Sequence, residues 1–435
     1  MRKIGGNISA VMFIALIIAW PGASFSVEQR PVFDVITISS AITPPVASYI
    51  LENIDAAAKE GAEGLIILLD TPGGLDQAMR DIAKGILNAP LPVIVYVYPP
   101  GARAASAGVI ITVAAHVAAM APGTNIGAAH PVAIGIGGTT DKTMAQKAEN
   151  DAAAYVRGIA GQRGRNADWA EKAVRKSESI TAEDALRNKV IDFVASDVRD
   201  LLEQSRNKSI SISSGKVTVS LKTKNAVINE KKMNLRQRIL VALSDPNIAY
   251  ILMLIGLAGL YFEFANPGAM LPGIIGGISL LLAFFALQTL PVNYAGVLLI
   301  LFGSFLFIAE IKVVSHGLLT IGGIISLVLG SLMLFDSPDP ALRVSLKVLA
   351  PAVATISLFF AAVIAIVAKA QMQKRSTGKE GLPGEKGEAI TDIHEEGRVF
   401  VQGEYWQAFS DQKVEKGQKI KVIKVEGLKL KIEEM

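Results

Sequence analysis

Two stretches in the first third of the chain carry residue types able to do acyl chemistry. In Leu68-Leu69-Asp70-Thr71-Pro72-Gly73-Gly74, an apolar run ends in a turn whose two glycines leave backbone N–H groups open to a ligand. Such groups can hold the negative oxygen that forms when an acyl carbonyl is attacked. In Pro99-Pro100-Gly101-Ala102-Arg103-Ala104-Ala105-Ser106-Ala107-Gly108, a serine stands among small residues at the expected start of a helix. Its hydroxyl is uncrowded there and lies near the positive helix end, where an oxyanion is favoured. Taken singly, the first stretch reads as a Pro-Gly turn and the second as close helix packing. As a pair, following successive strand-like runs, they point to a site, because ligands of open α/β sheets gather where the carboxyl ends of strands meet.

The elements that must position these turns are legible as alternating patterns. Val32 to Ile38, Gly64 to Leu69 and Pro92 to Tyr98 read as strands; Pro45 to Lys59, Asp76 to Leu87, Asp141 to Gly158 and Ala167 to Lys176 read as helices. That alternation predicts βαβ units around a largely parallel sheet. The chain as a whole is unlike a soluble protein: of 435 residues, 51% are hydrophobic and 19% charged, where about 25% charge is usual. The balance of 43 basic and 39 acidic side chains, net +4, is too small to argue for nucleic acid, and the absence of Cys excludes disulfides, thiolate zinc sites and a cysteine nucleophile.

Residues 1–26 have the order of a secretory signal peptide: Arg2 and Lys3, an apolar run from Ile8 to Trp20, then Pro21 and small residues. An exported α/β domain is expected over 30–205 and a polar linker with a weak hairpin over 206–240. Five apolar runs follow, Ile248 to Phe264, Met270 to Leu290, Tyr294 to Ile311, Gly317 to Phe335 and Val348 to Ala368, which predict about five spans within 247–369. Five crossings place the C-terminus in the cytoplasm, as Lys369, Lys374 and Arg375 suggest. Lys231, Lys232, Arg236 and Arg238 stand on the expected outer side and oppose this topology, but a translocated domain obeys its signal more than local charge. After a linker over 370–390, short alternating strands over 391–435, among them Gly397 to Val401, Gln418 to Val425 and Leu428 to Ile432, suggest a small all-β barrel of OB type.

The order of Thr71-Pro72-Gly73-Gly74, Gly101-Ala102-Arg103-Ala104-Ala105-Ser106-Ala107-Gly108 and Met120-Ala121-Pro122-Gly123-Thr124-Asn125-Ile126-Gly127-Ala128-Ala129-His130-Pro131 resembles the NfeD membrane serine proteases, of the ClpP/crotonase fold class. Ser179-Ile180-Thr181-Ala182-Glu183-Asp184-Ala185-Leu186, with Val190-Ile191-Asp192, resembles the closing helix and strand of that fold. The resemblance covers nearly the whole chain. It implies Ser106 as nucleophile, oxyanion donors from the backbone of Gly74, Gly73 and Ala107, and a lysine base on a downstream helix, with no cofactor and no metal.

The candidates for that base are Lys142 and Lys147. On a helix over Asp141 to Gly158, the apolar stripe is Met144, Ala148, Ala152, Tyr155 and Ile159; Lys142 points away from it, whereas Lys147 lies at its flank. A free lysine, with a pKa near 10.4, is almost wholly protonated at neutral pH, so a lysine base must be desolvated. Asp151, one turn along, is placed to orient the amine. His130, in a position resembling the histidine of soluble ClpP proteases, is the alternative base and needs no such shift. His116, His316 and His394 show no metal spacing. Gly135-Ile136-Gly137-Gly138 fits no dinucleotide or phosphate loop and reads as a flap beside the cleft.

Three functions follow. The first is a membrane-anchored serine endopeptidase acting on hydrophobic segments of membrane proteins, with a stomatin-like partner and a dimeric or larger assembly implied by the resemblance. The second is a non-catalytic membrane scaffold for that partner. The third, a crotonase-like acyl-thioester enzyme, conflicts with export and leaves Ser106 without a role.

Overall fold

Strand by strand, the apolar runs bury both faces, which is what a parallel sheet covered on two sides demands. A computed structural model describes residues 30–131, 142–266, 268, 270–313, 315, 317–335, 337, 342–372 and 381–435. The expected signal peptide, the flap at Gly135–Gly138, His316, Lys374 and Arg375 lie outside the described residues. The chain clusters into two compact units, one running to Leu299 with Leu329–Val348, the other Ile300–Val328 with Leu349–Met435.

The first unit opens with β1 (Val32–Ile38), α1 (Pro44–Glu60), β2 (Gly64–Leu69), α2 (Asp76–Asn88) and β3 (Val93–Val97). There follow β4 (Arg103–Ala105), α3 (Ala107–Ala114), β5 (Val117–Met120), β6 (Asn125–Gly127), α4 (Lys142–Gln162) and α5 (Ala167–Arg175). The α/β domain closes with β7 (Ser179–Thr181), α6 (Ala182–Arg187), β8 (Phe193–Val194), α7 (Val198–Gln204), β9 (Ser209–Ile212), β10 (Val217–Ser220) and β11 (Val227–Glu230). Six of these strands form a parallel sheet in the order β11-β1-β2-β3-β5-β8. Side chains alternate across it: Leu65, Ile67, Leu69, Val93, Val95 and Val97 face one core, and Phe33, Val35, Ile66, Ile94 and Tyr96 face the other.

Residues 207–230, read from sequence as a linker, form the expected hairpin between β9 and β10 and then an edge strand of the main sheet, with Val32 registered on Val227. The signal was weak because an edge strand needs only partial burial. A smaller sheet, β4-β6-β7, carries the serine turn.

Beyond the sheet lie α8 (Leu235–Leu243), α9 (Pro246–Ala265), α10 (Leu271–Gln288), α11 (Tyr294–Lys312), α12 (Leu318–Met333) and α13 (Leu346–Met372). By length and composition α9 and α10 can cross a membrane, and Tyr294–Glu310, Leu318–Met333 and Leu346–Ala362 are shorter apolar stretches. α9 and α10 touch through glycines: a Cβ on Gly259 would stand 2.6 Å from the Cα of Gly276, so only small residues permit this approach.

In the second unit, β12 (Lys386–Ala389), β13 (Gly397–Val401), β14 (Glu404–Phe409), β15 (Lys419–Glu426) and β16 (Lys429–Glu434) close into a five-stranded barrel around Val399, Val401, Ile420, Val422, Leu430 and Ile432. The strand at 386–389 falls where the sequence reading placed a linker.

Candidate active site

The turn after β2 is braced from within. The buried Thr71 hydroxyl donates to Gly73 O (3.0 Å) and accepts from Gly73 N (3.2 Å), while Gly73 O also accepts from Ile42 N (2.8 Å). Gly74 adopts φ +157°, and a Cβ there would lie 2.3 Å from the Ile42 carbonyl oxygen, so glycine is required. Backbone bonds from Thr71 N to Arg103 O (2.8 Å) and Ala105 N to Thr71 O (3.1 Å) join this turn to β4, which leads directly into Ser106.

Ser106 sits at φ 51°, ψ −111°, an uncommon conformation for a side-chain-bearing residue, at the N-terminal cap of α3. Its N–H donates to Gly127 O (3.1 Å), which holds the bend. Gly108, the second residue of α3, meets the Thr71 methyl so closely that an added Cβ would be 2.7 Å from it. Among the described residues, the amides of Gly74 and Ala107 have no acceptor, whereas that of Gly73 is committed to Thr71. An unpaired N–H in the first turn of a helix and a second on a facing glycine loop are the elements of an oxyanion hole. Ser106, Gly74, Ala107 and His130 border one cavity of about 260 Å³. Leu75, Met79, Ile110 and Ala129 add apolar walls, and Ser337 and Leu342, from the segment between α12 and α13, border it too.

The two candidate bases differ in placement. His130 is in the cavity wall, with Nδ1 3.0 Å from Val174 O. A carbonyl only accepts, so in the neutral ring Nδ1 carries the hydrogen and Nε2 keeps its lone pair. Lys147 and Lys142 are exposed, and neither borders the cavity. Ala148, Asp151 and Ala152 of the same helix do border it, so Lys147 stands on the adjacent edge of α4 and lacks the burial that lysine chemistry asks for. The stripe expected on this helix departs at Met144, which is 59% exposed, while Ala152 and Ile159 are buried as foreseen.

Asp151 does not orient Lys147 here; it pairs with Arg80 of α2, which also binds Asp76 (2.8 Å) and lies over the Tyr155 ring at 4.5 Å. Arg80 borders the cavity and ties α4 to α2. In sequence it reads as one more cation on an amphipathic helix, since its partner stands 71 residues away. Equally invisible were Arg163 and Arg165, which donate to Val113 O, Ala114 O and Ala115 O (each 2.8 Å) and so cap the far end of the helix that Ser106 begins.

Comparison with known proteins matches residues 32–228 to the NfeD1b N-terminal domain, 247–367 to the NfeD integral membrane domain and 379–434 to the NfeD-like C-terminal, partner-binding domain. The chain is 36% identical over 400 residues to membrane-bound protease PH1510 of Pyrococcus horikoshii, covering 88% of this chain and 90% of that protein. It is 29% identical over 433 residues to membrane protein NfeD1b of Bacillus subtilis, covering 94% of each. Among solved structures it is similar to the 1510-N membrane protease specific for a stomatin homolog from Pyrococcus horikoshii, at 35% identity and TM-score 0.44, covering 50% of this chain and 100% of that one.

Proposed function

The chain belongs to the NfeD family of membrane proteins, and from that premise we propose that it is a serine endopeptidase anchored in the membrane. The observation that carries this reading is the Ser106 hydroxyl at a strained helix start, sharing one cavity with the unpaired amides of Gly74 and Ala107. A base takes the hydroxyl proton, Oγ attacks the substrate carbonyl, and the two amides hold the tetrahedral oxyanion. Collapse expels the amine with the proton held by the base, and water then hydrolyses the acyl-enzyme. Apolar walls from Leu75, Met79, Ile110 and Leu342 favour hydrophobic segments as substrates. The relative's specificity for a stomatin homolog points to a stomatin-like membrane protein as substrate or partner, with the C-terminal domain binding it. An exported α/β domain, five spans, a cytoplasmic barrel of OB type and a homodimer or larger assembly complete the reading.

Lys147 is assigned as base. Its helix turns Ala148 and Asp151 into the cavity, and this role requires the first turns of α4 to swing inward on substrate binding so that the amine leaves water. His130 is the second reading, favoured by its place in the wall and its oriented ring. Ser106→Ala is expected to abolish cleavage of an apolar peptide and labelling by an acylating serine probe, with an unchanged melting curve; full cleavage by that variant rejects the nucleophile. Whichever of Lys147→Ala and His130→Ala loses about 10³-fold in kcat identifies the base. A wild type that never cleaves, yet retains a stomatin-like protein in pull-downs, identifies a scaffold instead.

A further inference from the structure

Helix α8 carries a second apolar stripe, on its outer side. Its inner side is occupied: Gln237 Nε2 donates to Glu52 of α1 (2.7 Å) and Val241 packs on the α/β core. The opposite side presents Leu235, Ile239 and Ala242, which at 100° per residue fall within an arc of about 60°. Leu235 is 72% exposed and Ile239 49%. Arg236 and Arg238, both exposed, flank this stripe on its two sides, and the exposed Lys232 precedes it. Among the described residues no carboxylate pairs with these three cations, whereas Lys231 is held by Glu60 (2.6 Å) and Asp34 (3.8 Å). An amphipathic surface helix normally turns its apolar face inward.

Something apolar with an anionic surface must therefore meet the outer face of α8, and the chain itself identifies it. Only Ser244 and Asp245 separate α8 from α9, an apolar helix long enough to cross a bilayer. Ile248, Ile251 and Ile255 of α9 are exposed, so the uncovered apolar surface continues from α9 onto α8.

We infer that α8 is an interfacial helix lying in the headgroup layer where α9 enters the bilayer. Leu235, Ile239 and Ala242 reach the acyl boundary, and Arg236, Arg238 and Lys232 bind the phosphates of anionic phospholipids. By packing on α1, the helix holds the α/β domain at a fixed height above the lipid. The cations that oppose the expected topology in sequence thus acquire a structural role at the surface.

The chain has no Cys, so Ile239→Cys provides a single thiol in the full-length protein. A nitroxide there is read by power-saturation EPR in nanodiscs of phosphatidylcholine with phosphatidylglycerol, with Lys172→Cys on α5 as a water-exposed control and Leu235→Cys as a second stripe position. The inference expects labels at 235 and 239 to collide with lipid-soluble oxygen and to be shielded from an aqueous nickel chelate, the reverse of 172. It also expects Arg236→Gln with Arg238→Gln to abolish the gain in shielding that phosphatidylglycerol brings. Nickel accessibility equal to that of the control overturns it. Dipolar broadening between labels, which marks a second copy on this face, overturns it as well, and shielding indifferent to phosphatidylglycerol in the parent protein overturns the headgroup assignment.

Discussion

Gly74 and Ser106 show how much a site depends on two backbone conformations that side-chain chemistry alone does not announce. Gly74→Ala forces a Cβ to within 2.3 Å of the Ile42 carbonyl oxygen, so the loop must shift and carry its N–H off the proposed oxyanion position. The expected outcome is a fall in kcat of about 10²-fold to 10³-fold on an apolar peptide, together with a lower Tm. An unaltered kcat would remove Gly74 from the reaction. His116, buried at the end of α3, gives a second residue-scale prediction. Burial first, and then the neighbouring Arg163 and Arg165 guanidiniums, hold its pKa down at about 3. Between that value and its ordinary 6.5 the unfolded chain binds a proton that the folded chain refuses, so stability is intact above about pH 6.5 and drains away as pH falls towards 3. At pH 5 the loss is about 2 kcal/mol, and His116→Gln is expected to flatten the decline of Tm between pH 7 and 5.

Among the elements, α3 is the one on which the site turns, because its first residue follows Ser106 and its last carbonyls are closed by arginines from the end of α4. Arg165 is only 5% exposed and binds Asp192 (2.7 Å) as well as two α3 carbonyls. Arg165→Met takes one of two cations from Asp192, which keeps Lys208 (3.0 Å) and the Ala118 N–H (2.8 Å), and removes two of the three carbonyl bonds that close the helix, with an expected cost of about 2–3 kcal/mol. The double variant with Asp192→Leu should cost less than the sum of the single changes, as denaturation midpoints of the four proteins will show. The strands β1, β2 and β3 and the helices α1, α2 and α5 were legible in sequence to within a residue, since periods of 2 and 3.6 depend on near neighbours, whereas α4 runs to Gln162, four residues past the expected Gly158. The strand at 227–230 was not legible, because its partner Val32–Val35 is almost two hundred residues away and its own four residues, Val-Ile-Asn-Glu, are too few to show a period. Nor was β14, whose Glu-Tyr-Trp-Gln-Ala-Phe sequence becomes a strand by closing a barrel.

For the whole molecule, the division into two units with separate cores predicts at least two transitions in calorimetry of the full chain in nanodiscs. The α/β domain, which holds His116, should be the one whose transition falls between pH 6.5 and 5; movement of both together would mean a single cooperative unit. The sequence by itself determined the classes of structure present, namely an α/β domain, a series of apolar helices and a short-stranded β domain, and it determined that Ser106 and the Gly73-Gly74 turn follow adjacent strands. These properties lie in local spacing and composition. Only the tertiary structure decided that Gly74 and not Gly73 keeps a free amide, that His130 stands in the cavity wall while Lys147 waits outside it, and that Asp151 belongs to Arg80. Each of these is settled by contacts between residues distant in the chain, where competition for a single hydrogen bond or ion pair has one winner.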